Sequence, residues 1–133
     1  MVPPAIRLEG VTLRYPNGVS ALEEVDLQIA PGAFVALVGG SGSGKTTLLK
    51  TINRLVRPDL GRVAVFAEDV AAVPPHELRR RIGYVFQEVG LFPHLTVAEN
   101  IAITPKLLGW DEARRAARVA ELLELVALPP DVG

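Results

Sequence analysis

A glycine-rich stretch ending in lysine and threonine is the part of this chain best suited to chemistry. It matches the pattern G-x-x-x-x-G-K-[ST] and consists of Gly39, Gly40, Ser41, Gly42, Ser43, Gly44, Lys45, Thr46 and Thr47. Glycines let a backbone curl so that successive N–H groups face one anion, and a lysine at this position reaches the β- and γ-phosphates. The hydroxyl of Thr46 can ligate Mg²⁺. This segment, the phosphate loop, therefore predicts a site for the polyphosphate of a nucleotide.

The residues on either side of the phosphate loop predict the elements that hold it. Residues 34–38 form an unbroken apolar run, which is typical of a parallel strand covered on both faces, and residues 46–52 have a helical pattern. A helix that begins at the loop directs its unpaired amides and its positive dipole end at the phosphates. This order of strand, loop and helix disfavours the alternative, a Gly/Ser linker that contains a lysine by chance.

The remaining pattern predicts an antiparallel hairpin before the loop and helices at the end of the chain. Apolar and polar residues alternate over residues 11–15 and 24–29, with a turn at 16–18. Further strands are expected at 62–66 and 82–86, and a helical patch at 76–80. Thr96 with Glu99 forms a capping box for a short helix through Ala102, and a longer helix covers residues 111–126.

Composition excludes several classes of function. The chain has 133 residues, is 49% hydrophobic and carries a net charge of −1, so no basic surface for nucleic acid is expected. It contains no cysteine and two histidines, which rules out a disulfide framework and a cysteine-based metal or redox site. No signal peptide and no apolar run of about 20 residues occurs, so we expect a cytoplasmic protein that reaches membranes only through a protein partner.

Two further segments resemble the ATP-binding subunit of ATP-binding-cassette (ABC) transporters. Residues 84–88 and 91–101 are similar to the family's Q-loop and to the helix entry behind it, and the hairpin precedes the phosphate loop as it does in that family. The resemblance implies an α/β fold of the P-loop NTPase type, in which the antiparallel hairpin accompanies a parallel-sheet core with helices. Gln87 ends an apolar run, and a glutamine amide there can contact Mg²⁺ through its oxygen and a water through its nitrogen.

Tyr15 occupies the place of the aromatic A-loop residue, which in this family stacks on adenine. An aromatic face stacks on any flat base, although a tyrosine in this pattern is by itself more often a half-buried strand residue. The phosphate loop departs from the family at Gly40, where many members carry proline. A second glycine leaves the backbone donors in place.

Several short segments resemble, more specifically, subunits that import osmoprotectants such as glycine betaine, choline and related quaternary amines. These segments are residues 51–55, 82–85, 100–102 and 105–110. They indicate kinship and would not contact the transported solute. Trp110, within the last of them, is expected to be a packed anchor with no ligand role.

The resemblance spans the whole chain but only the front half of the family's domain. The signature sequence, the Walker B strand with its catalytic glutamate, and the switch histidine are all absent, so residues 1–133 are expected to be the N-terminal part of one nucleotide-binding domain. The implied cofactors are ATP and Mg²⁺, with Lys45 and Gln87 as catalytic residues and Thr46 and Gln87 as metal ligands. The implied partners are membrane-spanning permease subunits, a second ATP-binding subunit in a head-to-tail dimer and, indirectly, an extracytoplasmic solute-binding protein.

Two other kinds of function remain open from the sequence. A soluble P-loop kinase or GTPase shares the phosphate loop, but the hairpin ahead of the loop and the lack of an Asn-Lys-x-Asp motif disfavour it. A nucleotide-binding fragment without catalytic activity is the other possibility. We expect the isolated chain to be inactive and to expose apolar sheet edges at Val35, Leu37, Ile82 and Val85.

Overall fold

A computed structural model of the chain describes residues 2–132, which divide into two compact units between Ile82 and Gly83. The first unit contains a four-stranded sheet and two helices, and the second contains the remaining helices. The phosphate loop belongs to the first unit and Gln87 to the second.

The sheet of the first unit is antiparallel throughout and begins with the predicted hairpin. Its strands are β1 (Ile6–Arg14), β2 (Ser20–Ile29), β3 (Leu60–Val65) and β4 (Glu68–Asp69), in the spatial order β2-β1-β3-β4. The hairpin and the strand predicted at 62–66 are confirmed, with β3 beginning two residues earlier.

A bulge at Gly10 brings the apolar residues of β1 to one face. Leu8 and Val11 are both fully buried although they are three positions apart, which a regular strand would place on opposite faces. The pairing register shifts between these two residues, and Gly10 has a φ of 55°, in the left-handed region that glycine adopts without strain. The amide of Gly10 donates to Asp26 Oδ1 at 2.8 Å, so the extra residue keeps a hydrogen-bond partner.

Two helices cover this buried face. Helix α1 (Lys45–Ile52) confirms the helix predicted after the phosphate loop, and the short α2 (Pro75–Arg80) confirms the helical patch. Together with the strands they enclose one apolar core, formed by Leu8, Val11, Leu13, Leu22, Leu48, Ile52, Val63, Val70, Val73 and Leu78.

The second unit consists of α3 (Val97–Leu107), α4 (Glu112–Leu125) and a 3₁₀ turn (Pro130–Val132). The capping box is confirmed, since Thr96 Oγ1 accepts from the Glu99 amide at 3.2 Å and Glu99 Oε2 accepts from the Thr96 amide at 2.8 Å. Helix α3 continues beyond the predicted end at Ala102 and contains Pro105 in its last turn. The helix ends before Gly109, whose φ of 78° stops further helical turns.

The strands predicted at 34–38 and 82–86 are wrong for the described chain, because neither run forms a strand. A strand needs a hydrogen-bonded neighbour, and within residues 2–132 neither run has one. The parallel-sheet core that the resemblance implies is also not formed among these residues. The expected exposure holds in part: Val35 is 47% and Val85 94% exposed, whereas Leu37 and Ile82 are partly buried against the core.

No helix within residues 2–132 combines the length and the apolar character that crossing a membrane requires.

Gly61 provides a test of how tightly β1 and β3 are packed. It has a φ of 89°, and a Cβ there would lie 2.5 Å from the Gly10 carbonyl oxygen and 2.6 Å from that of Glu9. We expect Gly61→Ala to lower the free energy of unfolding of the first unit by about 2–4 kcal/mol, because backbone strain and a backbone clash add.

Gly18→Ala is the matched control for this measurement. Gly18 has a φ of 82°, but an added methyl group there would meet no atom within 4 Å, so only the strain of about 1 kcal/mol applies. Amide exchange in β1 and β3 measures the free energy of unfolding of both variants. Equal losses of stability in Gly61→Ala and Gly18→Ala would contradict the close packing of β1 on β3.

Candidate nucleotide-binding site

The phosphate loop is curled by two glycines in left-handed conformations. Gly42 has a φ of 78° and Gly44 a φ of 90°, and the Ser43 amide donates to the Gly40 carbonyl at 3.2 Å. A Cβ on Gly44 would lie 2.3 Å from the Ala21 carbonyl oxygen of β2. Position 44 therefore requires glycine both for its backbone conformation and for its contact with the sheet.

Helix α1 offers free donors at the end of this loop. Gly44 is its N-cap and provides no capping side chain, and the first turn contains no acidic residue. The first backbone bond into the helix runs from the Leu48 amide to the Gly44 carbonyl at 2.8 Å. Within residues 2–132 the amides of Lys45, Thr46 and Thr47 have no acceptor, so three N–H groups and the positive end of the helix dipole are available to an anion.

The ammonium of Lys45 lies over the same loop. Its Nζ donates to the Gly39 carbonyl at 2.6 Å, to the Gly40 carbonyl at 2.7 Å and to Ser43 Oγ at 2.9 Å. All three partners are neutral, and Lys45 forms no ion pair with any carboxylate of residues 2–132. Its charge adds to that of the helix dipole and is left for an anionic ligand to neutralise.

The two threonines of the loop face different surroundings. Thr46 is exposed, and its hydroxyl has no hydrogen-bond partner within the described chain, so it is available to a ligand or a metal ion. Thr47 is 9% exposed, and its Oγ1 lies 2.8 Å from the hydroxyl oxygen of Tyr15.

Tyr15 is thereby brought to the phosphate loop. It directly follows β1, its side chain is 44% exposed, and it is separated from Thr47 by 32 positions in sequence. It is not inside a strand, and its stacking role remains a prediction from the resemblance. Sequence spacing alone did not predict its bond to Thr47.

Gln87 lies in the second unit, in a bend with an exposed side chain. The apolar run before it is not a strand, so this amide does not lie at the end of a strand in the described chain. The side chain makes no hydrogen bond within residues 2–132. Its role remains a prediction from the resemblance.

Asn100 has a structural role that the sequence did not reveal. Its Oδ1 accepts from the Phe92 amide at 2.8 Å, and its Nδ2 donates to the carbonyls of Phe92, Leu95 and Thr96 at 3.2, 3.1 and 2.9 Å. One side chain thus holds the segment that leads into α3. Trp110 is half-buried, with the Arg114 guanidinium 3.6 Å from its ring centre, consistent with a packed anchor.

Comparison with known proteins shows which family and which relatives the chain is similar to. A family model described as ABC transporter matches residues 22–132. The chain is 48% identical over 126 residues to the glycine betaine/carnitine/choline transport ATP-binding protein OpuCA of Bacillus subtilis, covering 95% of this chain and 33% of that protein. It is 42% identical over 127 residues to the osmoprotectant import ATP-binding protein OsmV of Salmonella typhimurium, covering 92% and 33%.

A solved structure shares the fold. The dimeric, post-hydrolysis ATP-binding cassette MJ0796, bound to ADP and Pi, aligns with a TM-score of 0.84 and 32% identity, covering 96% of this chain and 59% of that one. The chain spans about a third of the length of these two curated relatives.

Gly44→Ala tests whether the contact between the loop and β2 holds the anion donors in place. The added methyl group must displace either the loop or the Ala21 carbonyl, which moves the first amides of α1. Loss of one charge-assisted contact is worth about 1.5–3 kcal/mol, so the affinity for inorganic triphosphate should fall at least tenfold in calorimetric titration.

Gly40→Ala is the control for that substitution, because a Cβ there meets nothing within 4 Å and Gly40 does not have a positive φ. Its affinity for triphosphate should stay within about threefold of the parent. Similar losses in both variants would show that the contact with β2 does not organise the loop.

Proposed function

Because the chain belongs to the ABC transporter family, we propose that it is the front part of an ATP-binding subunit that powers the import of a quaternary-amine osmoprotectant. The observation that carries the proposal is the set of free amides at the start of α1, beside a lysine without an anionic partner. The relatives OpuCA and OsmV, by the solutes in their names, support import of glycine betaine, choline or a related osmoprotectant. A soluble kinase or GTPase is not favoured, since these relatives are transport proteins.

In this proposal the first unit holds ATP. The free amides of Lys45, Thr46 and Thr47 and the Lys45 ammonium bind and neutralise the phosphates, and the ring of Tyr15 stacks on adenine. The Thr46 hydroxyl suits Mg²⁺, because it is exposed and unpaired within the described chain. Gln87 is taken as the second ligand from the resemblance alone. Bound Mg²⁺ supplies positive charge that stabilises the transferring phosphoryl group.

The contribution of these residues to catalysis is positioning and charge stabilisation. Lys45 and the loop amides fix the phosphate chain for in-line attack by water, and Gln87, by the resemblance, completes the site in a whole cassette. We assign no general base to residues 1–133. That the isolated chain does not hydrolyse ATP stays a prediction.

The proposed partners are permease subunits, a second ATP-binding subunit arranged head to tail and, indirectly, an extracytoplasmic solute-binding protein. The subunit would then work at the inner face of the membrane through the permease. The segment after Gln87 supports a contact with a partner, because Val89 is 86%, Leu91 65% and Phe92 50% exposed. Grouped apolar exposure of this kind marks interaction surfaces. The dimeric cassettes among the structural neighbours support the second subunit.

Lys45→Ala tests the phosphate site in a complete cassette that contains this sequence. Removal of the loop's one side-chain cation should weaken ATP binding about tenfold to a hundredfold, since a charge-assisted contact contributes about 1.5–3 kcal/mol. Titration with a fluorescent ATP analogue measures this. Lys50→Ala, in the last turn of the same helix, should leave the affinity unchanged, and equal affinities for both variants would place the phosphates elsewhere.

Gln87→Ala tests coupling in a reconstituted importer. We expect turnover to fall at least tenfold while ATP affinity changes less than about threefold, because the phosphate loop holds most of the phosphate charge. Gln28→Ala removes the other glutamine of the chain, which is exposed on β2, and serves as the control. Parallel losses of binding and turnover would argue against a coupling role.

A further inference from the structure

The hydrogen bond between Tyr15 and Thr47 joins two elements with different proposed tasks. The hydroxyl oxygen of Tyr15 and Oγ1 of Thr47 are 2.8 Å apart, and either can be the donor. Tyr15 lies in the turn after β1, and Thr47 lies in the first turn of α1, which also presents the free amides. The bond therefore connects the aromatic ring directly to the helix that offers the phosphate donors.

Both ends of this connection are anchored. Thr47 is 9% exposed and lies on the buried side of α1 with Leu48 and Thr51, which are 7% and 0% exposed. The backbone of Tyr15 is held by its own amide, which donates to the Val19 carbonyl at 2.9 Å, and by the Gly18 amide, which donates to the Tyr15 carbonyl at 2.8 Å. A ring fixed at its backbone and at its hydroxyl has little freedom left to lose when a ligand stacks on it.

Tyr15 is also the partner that satisfies Thr47. Within residues 2–132 the Thr47 hydroxyl has no other hydrogen bond, and no buried side-chain nitrogen or oxygen there is left unpaired. Breaking this bond would leave the buried Thr47 hydroxyl unpaired, which costs free energy. The protein itself therefore favours the ring orientation in which the Tyr15 hydroxyl contacts Thr47.

We propose that Thr47 is a positioning residue that, through the Tyr15 hydroxyl, holds the ring as a preformed platform for the base at a set distance from the phosphate donors. The inference rests on the proposed function, because it takes ATP as the ligand and the ring as its stacking surface. Because the hydroxyl orients the ring, it should raise the affinity for a nucleotide with a base relative to the affinity for free polyphosphate. One neutral hydrogen bond of this kind corresponds to about two- to tenfold in an equilibrium constant.

Binding of ATP and of inorganic triphosphate, measured by calorimetry on the 133-residue chain, tests the inference. Tyr15→Phe keeps the ring and should lower the ratio of ATP affinity to triphosphate affinity about two- to tenfold, and Tyr15→Ala should lower it further. Tyr84→Phe removes the hydroxyl of the only other tyrosine and should leave the ratio unchanged.

The outcomes separate this inference from the proposed function. If Tyr15→Phe keeps the parent ratio while Tyr15→Ala lowers it, the ring stacks without help from its hydroxyl, and the positioning role is wrong. If Tyr15→Ala also keeps the parent ratio, the ring is not the adenine platform, and the positioning role and the proposed stacking are both wrong, whereas the proposed phosphate site is tested separately by Lys45→Ala.

A second measurement needs no nucleotide. With tyrosine labelled by ¹³C at Cζ, the chain has two signals, and Tyr84→Phe assigns them. Thr47→Val should shift the Tyr15 signal, because the phenol loses its partner, whereas Thr47→Ser keeps a hydroxyl and should restore the parent position. A Tyr15 signal that is insensitive to Thr47→Val would overturn the inference.

Discussion

The close approach of Gly44 to the carbonyl oxygen of Ala21 is the contact on which the site depends. Any side chain at position 44 would have to occupy the space of that oxygen, 2.3 Å from a Cβ. The glycine lets α1 begin against β2, and Leu48 and Ile52 then carry the helix into the core. Because the core holds the helix, its first amides stay fixed in direction before any ligand arrives.

The electrostatics of the first unit follow from that placement. A helix N-terminus without a cap or an acidic neighbour combines with an ammonium bound only to neutral groups, so positive charge is concentrated at one loop. Such an arrangement attracts an anion, and a phosphate chain would neutralise it. The role in ATP binding proposed here comes from this imbalance of charge, and Tyr15 adds a surface for the base.

The second unit is organised by local contacts. Thr96 and Asp111 cap their helices through side-chain oxygens, and Asn100 binds the segment before α3 with four hydrogen bonds. These bonds span few positions in sequence, so they form without a large core. Apolar side chains at residues 89–92 remain exposed, as expected of a surface that meets a partner.

The hairpin, the helix α1 that follows the phosphate loop, and the capping box could be predicted from the sequence, because each depends on residues close together in the chain. The tertiary structure decided what depends on distant neighbours: the Gly10 bulge that aligns Leu8 with Val11, and the bond from Tyr15 to Thr47. It also decided that the apolar runs at 34–38 and 82–86 are not strands here. A helix makes its hydrogen bonds within its own segment, whereas a strand exists only when a neighbouring strand accepts them.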